Sequence, residues 1–457
     1  MARNCEHCNE FSRSHLLRRA VAEAGNGLPQ IEPGQPLPAD TGLSRRSFLI
    51  RGSAGLLSVY GASKIGLSGL HEGIAKAAGG SDPVLVSVFM DGGANSLSLL
   101  APTNDSIYQS LRPTLALPPG SGTPFAEDTR LSWHPAAAGF DSLHQADKLS
   151  LLPAVAYDSP NQSHFTSRHF WEVGALAPNE TTGWMGRLLD RIGTPDNPLQ
   201  GLSLDGQLSP ALASSSVPIA AIDGAGYDIW QEGVWGEVED LMYQSVGSIG
   251  ERAVRGKDKG LAGAGTAASQ AMRVKAQLAP FSDEEIAPPV PYPSQQFFPR
   301  SLAAIAAMLS SGLPLQCVSL DAPGGYDTHD DQTESFSRNL KLTADSLAAF
   351  QADLESRDLA DRVIILVWSE FGRRPEENGS AGTDHGAAGT AMVIGSRVRG
   401  EMIGEWPGLG QLDDDENIRG TSDFRALYCS LIEQWFNTDA AAVIPGAGGF
   451  DRPAVIR

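Results

Sequence analysis

Cysteine is scarce in this sequence, with four residues in a chain of 457. Cys5 and Cys8 form a single C-x-x-C pair near the start, and no second pair follows, so they make half of a zinc site at most. Cys317 and Cys429 lie far apart in apolar segments. We therefore expect these two to be buried free thiols and predict no disulfide framework.

Positive charge and long apolar runs are also in short supply. The 34 Lys and Arg residues face 54 Asp and Glu residues, and the net charge of -20 argues against a nucleic-acid partner. The weakly apolar stretch at residues 50–70 is broken by Arg51 and Lys64, so we expect no permanent membrane span. No Gly-x-Gly-x-x-Gly motif follows a strand and no haem or cluster cysteine pattern is present, which argues against an oxidoreductase.

The amino-terminal segment contains a pair of arginines, Arg45 and Arg46, within the sequence Ser-Arg-Arg-Ser-Phe-Leu. A mild apolar region follows, and then the small-residue pattern Ala-Lys-Ala-Ala at residues 75–78. This order resembles a twin-arginine signal peptide, which a translocase would recognise to export the folded protein to the periplasm or beyond. An amphipathic helix with a chance arginine pair is the alternative. We predict a disordered leader at 1–43, a signal peptide at 44–77 and one domain at 82–457.

Short apolar runs alternate with helical patterns along the rest of the chain. The runs are of strand length and nearly continuous, which is typical of strands covered on both faces. This alternation predicts an α/β fold, a three-layer α/β/α sandwich with a mostly parallel central sheet, and a surface insertion around 250–295. The expected strands are 84–90, 149–156, 217–222, 315–320, 363–368 and 391–394, and the expected helices are 165–176, 184–192, 227–246, 299–309, 334–354 and 424–435.

Carboxylate and imidazole side chains follow several of these predicted strands. Because ligands bind at the carboxyl ends of strands in open α/β sheets, this convergence indicates a site. Mixed oxygen and nitrogen ligands suit zinc or manganese better than calcium or magnesium, and one or two ions are expected. Taken singly, each residue could instead serve a turn, a helix cap or a surface ion pair. The candidate ligands are Asp91, Asp327, His329, Glu370, Asp384 and His385.

Ser163 and Thr166 are the candidate nucleophiles, because they lie at or near the amino terminus of the predicted helix 165–176. Free backbone amides there favour anions, although Ser163 could simply cap the helix. His164 is a further candidate catalytic residue, with helix capping as its alternative. Arg373 could clamp an anionic oxygen through its bidentate guanidinium group.

Several motifs, in this order, resemble the bacterial family known as domain of unknown function 1501. The family is grouped with the alkaline phosphatase and sulfatase superfamily, whose α/β/α core holds metal ions at strand ends, and its members typically carry twin-arginine signals. The motifs are Gly92-Gly93, Leu111-Arg112-Pro113, His134-Pro135, Ser163-His164-Phe165, Gly183-Trp184-Met185-Gly186-Arg187, Asp327-Thr328-His329, Ser369-Glu370-Phe371-Gly372-Arg373, Gly382-Thr383-Asp384-His385-Gly386 and Thr421-Ser422-Asp423-Phe424-Arg425.

The resemblance implies an alkaline phosphatase-like fold and an exported metal-dependent hydrolase of small anionic phosphate or sulfate esters. It implies metal-binding roles for Asp91, Asp327, His329, Glu370 and His385, and places Ser163 or Thr166 near the nucleophile position. Phe371 stands where a second ligand histidine is expected, and Ala94-Asn95-Ser96 replaces the usual Asn-Asp-Gly. These departures favour one ion over two. The rival expectation is a non-catalytic secreted binding or assembly protein on a retired hydrolase fold.

Overall fold

The computed structural model describes residues 59–60, 82–222, 236–255, 259–281 and 286–457. All of these residues belong to the unit Leu56–Arg457. The predicted leader, Cys5 and Cys8, and the Arg45–Arg46 pair lie outside the described residues. Of the predicted signal segment only Val59–Tyr60 is described.

In the described part of the chain, nine strands form one sheet in the order β1-β8-β7-β9-β2-β10-β13-β6-β14. Two smaller sheets pair β11 with β12, and β3 and β4 with β5. The strands are β1 Val59–Tyr60, β2 Val84–Phe89, β3 Leu100–Ala101, β4 Thr123–Pro124, β5 Ser132–Trp133, β6 Leu149–Ala156, β7 Gly201–Ser203, β8 Ile219–Ala221, β9 Cys317–Asp321, β10 Val363–Trp368, β11 Arg373–Glu377, β12 Thr383–His385, β13 Gly389–Ile394 and β14 Ser422–Asp423.

Most neighbouring strands of the large sheet are parallel. Strands β8, β7, β9, β2 and β10 pair in parallel in that order, and only β1 and β13 run against the common direction among the described strands. The prediction of an α/β fold with a mostly parallel central sheet is therefore confirmed. Because β2, β6, β9 and β10 point the same way, the loops after them emerge at one edge of the sheet.

Helices cover both faces of this sheet. Alternate residues of β2 belong to two different hydrophobic clusters, with Val86 in one and Leu85 in the other. Helices α3, α7, α8 and α9 contribute to the first cluster, and α4, α5 and α10 to the second. The helices are α1 Ser96–Leu99, α2 Ser106–Leu111, α3 Ala138–Gln145, α4 His164–Val173, α5 Trp184–Ile192, α6 Glu237–Val254, α7 Lys259–Leu278, α8 Phe297–Ser310, α9 Gln332–Ser356 and α10 Phe424–Gln434.

The main difference from the sequence-based expectation lies at residues 256–277, inside the predicted surface insertion, where no helix was predicted. Most of this segment is helix α7, which packs against α6. A side chain at Gly265 would meet the backbone of Gly250 at 2.5 Å, so the small residues allow the two helices to approach closely. The glycine and alanine residues of this segment therefore serve the packing of α7 against α6. The strand predicted at 217–222 is shorter in the structure, where β8 covers Ile219–Ala221. The described part of the helix predicted at 227–246 is α6, which begins at Glu237 and continues to Val254.

Cys317 and Cys429 are buried free thiols, as predicted. Across the described residues, no helix combines the length and the apolar character that crossing a bilayer requires.

The hairpin formed by β11 and β12 is held over the sheet edge by Arg112. This side chain is fully buried, and it donates to the carbonyl oxygens of Pro375 (2.7 Å) and Arg374 (3.0 Å) and to Asn95 Oδ1 (3.1 Å). Burial lowers the pKa of Arg112 to about 10. The group still carries its charge at neutral pH, and the carbonyl dipoles of the hairpin solvate it.

Gly372, just before β11, has no space for a side chain, because a methyl group there would overlap the carbonyl group of Ala388. We predict that Gly372→Ala lowers the free energy of unfolding by about 3 kcal/mol, as overpacking against backbone requires a shift of the hairpin. Urea denaturation measures this. Gly379→Ala in the same hairpin is the control, since nothing lies within 4 Å of its added methyl group. Equal stability of the two variants would contradict the prediction.

Candidate metal centre

The carboxylate of Asp327, in the loop after β9, is the meeting point of four charged or imidazole side chains. Its Oδ1 accepts from Arg373 Nη2 at 2.5 Å and lies 3.0 Å from His329 Nε2 and 3.3 Å from His385 Nε2. Its Oδ2 lies 3.5 Å from His164 Nε2. Four segments thus converge around Asp327, namely the loops after β6, β9 and β10 and the β11–β12 hairpin. The sequence predicted this convergence for the segments that follow strands.

Each of the three histidines is held at its other ring nitrogen by an acceptor. His164 Nδ1 lies 2.6 Å from Glu370 Oε1, and His329 Nδ1 lies 3.3 Å from Asp384 Oδ1. His385 Nδ1 lies 2.8 Å from the backbone carbonyl oxygen of Gln162. A carbonyl or carboxylate oxygen can only accept, so these contacts assign a proton to Nδ1 of each ring. The Nε2 atoms then face Asp327, where a protonated ring donates to the carboxylate and a neutral ring offers its lone pair to a cation.

The arrangement fits a divalent cation. His164, Asp327 and His385 offer ligand atoms that all lie within 4.8 Å of one another. The Nε2 atom of His164 is buried and makes no hydrogen bond. A buried ring nitrogen without a hydrogen bond is costly, and histidines fixed at the second nitrogen by a carboxylate or a carbonyl are the usual surroundings of a metal ion. Two imidazoles and a carboxylate suit zinc, iron or manganese.

Glu370 was predicted as a ligand, and the structure places it behind His164. Its side chain is fully buried, and its carboxylate accepts from the amides of Gly92 and Gly93, both at 3.0 Å, and from Ser369 Oγ at 2.9 Å. Gly92 and Gly93 have φ angles of 115° and 68°, which L-residues rarely adopt, and their amides face the carboxylate. Burial would raise the pKa of Glu370, but hydrogen bonding and attraction to His164 lower it. Glu370 therefore orients His164.

Asp384 and Asp91, the other two predicted carboxylate ligands, lie outside the group of three. Asp384 is exposed and contacts the outer nitrogen of His329. Asp91 lies 3.7 Å from Arg168 Nη1, and burial, followed by repulsion from Glu370, raises its pKa. Across the described residues, His164, Asp327 and His385 form the one group of at least three His, Cys, Asp or Glu side chains with this geometry.

Arg373, expected to clamp a substrate oxygen, is buried and its donors are engaged within the protein. It donates to the carbonyl oxygens of Gly92, Gly93 and Thr383 as well as to Asp327. Burial would raise the pKa of Asp327, but its contacts with the three histidine Nε2 atoms and the charge of Arg373 hold it well below its usual range. Arg373 thus keeps Asp327 ionised and joins the loop after β2 to the hairpin.

Ser163 occupies the N-cap position of α4, but its side chain makes no capping hydrogen bond. Its hydroxyl-bearing side chain is exposed, and its amide donates to Asn161 Oδ1 at 2.8 Å. Thr166 is half-buried within the first turn of the helix. The capping alternative for Ser163 therefore has no support from the geometry, while Ser163 remains adjacent in the chain to His164.

Phe371, at the position where the resemblance implies a histidine, packs between two rings of the site. Its ring centroid lies 4.8 Å from that of His164 and 4.9 Å from that of His385. The ring supplies an apolar wall in place of a ligand. The contact between the Gln162 carbonyl oxygen and His385 Nδ1 could not be predicted from the sequence, because every residue has a backbone carbonyl group.

The family model described as "Protein of unknown function (DUF1501)" matches residues 240–431. The resemblance to this family is confirmed over these residues. The matched segment contains Asp327, His329, Glu370, Arg373 and the Asp384–His385 pair. It does not extend to the chain around Ser163 and His164.

Several solved structures are similar to this chain at low identity. PsFucS1 sulfatase from Pseudoalteromonas sp. is 13% identical, with 85% of this chain and 78% of that chain covered and a TM-score of 0.35. A protein in the alkaline phosphatase superfamily from Vibrio parahaemolyticus is 10% identical, with 87% and 74% covered and a TM-score of 0.31. Phosphonate monoester hydrolase SpPMH from Silicibacter pomeroyi is 12% identical, with 81% and 75% covered and a TM-score of 0.31. TM-scores this low carry no argument about the reaction. No curated protein matches the chain.

The contacts of His164 predict how the metal-free protein responds to pH. Burial alone would lower the pKa of His164, but Asp327 and Glu370 raise it from 6.5 to about 9. The folded protein therefore holds this proton more tightly than the unfolded chain does. The resulting stabilisation is complete below about pH 6.5 and is lost as the pH rises through about 9.

We predict that the melting temperature of chelator-treated protein falls over this pH range and that His164→Gln reduces the fall. Differential scanning calorimetry at several pH values measures it. His169→Gln is the control, because His169 lies on the same helix and contacts the Ala177 carbonyl oxygen instead. Identical pH dependence in the wild type and His164→Gln would refute the assignment.

Proposed function

We propose that this chain is an exported, metal-dependent hydrolase of phosphate or sulfate esters, with one divalent ion held by His164, Asp327 and His385. The observation that carries the proposal is the buried Nε2 atom of His164, which makes no hydrogen bond although Glu370 fixes the ring. His329 is a fourth candidate ligand, since its Nε2 lies 3.0 Å from Asp327 Oδ1 and from His385 Nε2. Zinc or manganese matches this set best.

A bound ion would supply a positive charge that polarises the ester and stabilises the oxygen that becomes negative in the transition state. The protein's own residues prepare the site for it. Glu370 and the Gln162 carbonyl keep protons on the outer nitrogens of His164 and His385, so that the Nε2 atoms can bind metal. Arg373 keeps the Asp327 carboxylate ionised.

Ser163 is the proposed nucleophile. Its side chain is exposed at the amino terminus of α4, where the helix dipole favours a negatively charged group. In the proposed step, Ser163 Oγ forms a bond to phosphorus or sulfur, and the bond to the oxygen of the alcohol product breaks. The hydroxyl proton of Ser163 passes to water, and the departing alkoxide takes up a proton from water to become the alcohol product. Hydrolysis of the serine ester then regenerates the hydroxyl group.

We predict that the zinc- or manganese-loaded protein hydrolyses at least one of a panel of aryl phosphates, phosphodiesters and aryl sulfates. Ser163→Ala should lower kcat by roughly a thousandfold while leaving the bound metal unchanged, because the nucleophile is lost and the ligands are kept. Thr166→Ala is the control and should retain activity. Elemental analysis gives the metal content, and His385→Asn should reduce it.

Two results would refute parts of this proposal separately. Protein with no stoichiometric metal, and no rise in melting temperature on adding zinc or manganese, would rule out the metal centre. Stoichiometric metal without turnover of any ester would rule out the hydrolase and favour the secreted binding or assembly protein.

Export is proposed from the arginine pair at 45 and 46. We predict that replacing Arg45 and Arg46 by Lys leaves the precursor in the cytoplasm with its fold intact, because the translocase recognises the paired guanidinium groups. Replacing Arg18 and Arg19 by Lys is the matched control, since that pair lies within the predicted leader and should not affect export. Cell fractionation distinguishes the two, and normal export of the first variant would contradict the signal assignment.

A further inference from the structure

Helix α6 presents an apolar row to solvent. One side of the helix packs against α7, with Tyr243 buried and Gly250 in close contact with Gly265. On the other side Val238, Leu241 and Ile249 are 62%, 60% and 48% exposed. Large aliphatic side chains in a row on an exposed helix face usually contact a partner.

These residues form one narrow face of the helix. At about 100° per residue, positions 238, 241, 245, 249 and 252 all lie within about 80° of one another. Ser245 is at the centre of the row, with Leu241 four residues before it and Ile249 four residues after it. The row is therefore symmetric about a small residue, which allows another helix to cross closely at that point.

The charged residues beside the row also differ in sign between the two ends of α6. Near the apolar row, Glu237 is exposed at the amino-terminal end and Arg252 and Arg255 are exposed at the carboxyl-terminal end, whereas Asp240 and Glu251 lie more than about 100° around the helix from the centre of the row. An antiparallel copy of the same helix would place each acidic end beside a basic end, and the two helix dipoles would oppose each other favourably. The helix is thus complementary to itself.

We propose that α6 is a self-association surface, through which two copies of this chain pair as antiparallel helices about a twofold axis at Ser245. In this register Leu241 faces the partner's Ile249, and Val238 contacts the aliphatic part of the partner's Arg252. Each contact occurs twice, as twofold symmetry requires. Helix α6 carries four acidic residues, Glu237, Glu239, Asp240 and Glu251, and one basic residue, Arg252, whereas helices that bind membrane surfaces carry mainly Lys and Arg. A second copy is therefore the occupant that the charges favour.

Sedimentation velocity over a wide range of protein concentration tests the proposal. We expect a monomer–dimer equilibrium, and Leu241→Glu should raise the dimer dissociation constant by about tenfold or more because it places a charge in the apolar contact. Ile107→Glu is the matched control, since Ile107 is an exposed aliphatic residue outside α6 and should not affect association. Arg252→Glu should weaken the dimer, and adding Glu237→Arg should restore part of it.

Cysteine crosslinking tests the register itself. In a background with Cys5→Ser and Cys8→Ser, Ser245→Cys should form an intermolecular disulfide under mild oxidation, because the two positions meet at the twofold axis. Gln244→Cys should not, since that exposed position lies about 100° around the helix. The proposal would be overturned if the protein is a monomer at all concentrations, or if Leu241→Glu leaves the dimer dissociation constant unchanged. Binding to lipid vesicles or to another protein through Leu241 without self-association would also overturn it.

Discussion

The negative charge of Asp327 is the constraint around which this edge of the sheet is organised. A carboxylate that is partly removed from water must be compensated, and here a buried arginine and three histidines provide the compensation. Those four partners come from the α4 amino terminus, the loop after β9 and the β11–β12 hairpin. The separate loops at the sheet edge are thus connected through one acidic side chain.

Arg373 shows why such a site needs more than its ligands. Its guanidinium group joins the carbonyl groups of Gly92 and Gly93 to the hairpin at Thr383, while it also pairs with Asp327. Arg112 performs a similar task from the other side of the hairpin, bonding the carbonyl oxygens at 374 and 375. Two buried guanidinium groups therefore hold the segment that carries His385, so that the position of this histidine follows from hairpin packing.

Much of the architecture could be predicted from the sequence, because buried parallel strands are nearly continuous apolar runs and most helices are amphipathic. β6 and α5 were predicted at their observed bounds. Helix α7 was not among the predicted helices because glycine and alanine do not mark an apolar helix face, although here they allow close packing against Gly250. The convergence of Asp327, His329 and His385 could be predicted from strand-end placement. The orienting contacts of Glu370, Asp384 and Gln162 could not, because sequence does not specify which side of a histidine ring a neighbour will contact.

The three histidines differ in how firmly their neighbours hold them. Glu370 is fully buried and fixed by two glycine amides, so His164 is oriented by a carboxylate that cannot itself move without losing those bonds. His385 is held by the Gln162 carbonyl, which belongs to the same loop as His164. Asp384, in contrast, is exposed and contacts His329 at 3.3 Å. His164 and His385 are therefore more firmly oriented than His329, which makes them the better-placed nitrogen ligands for the proposed centre.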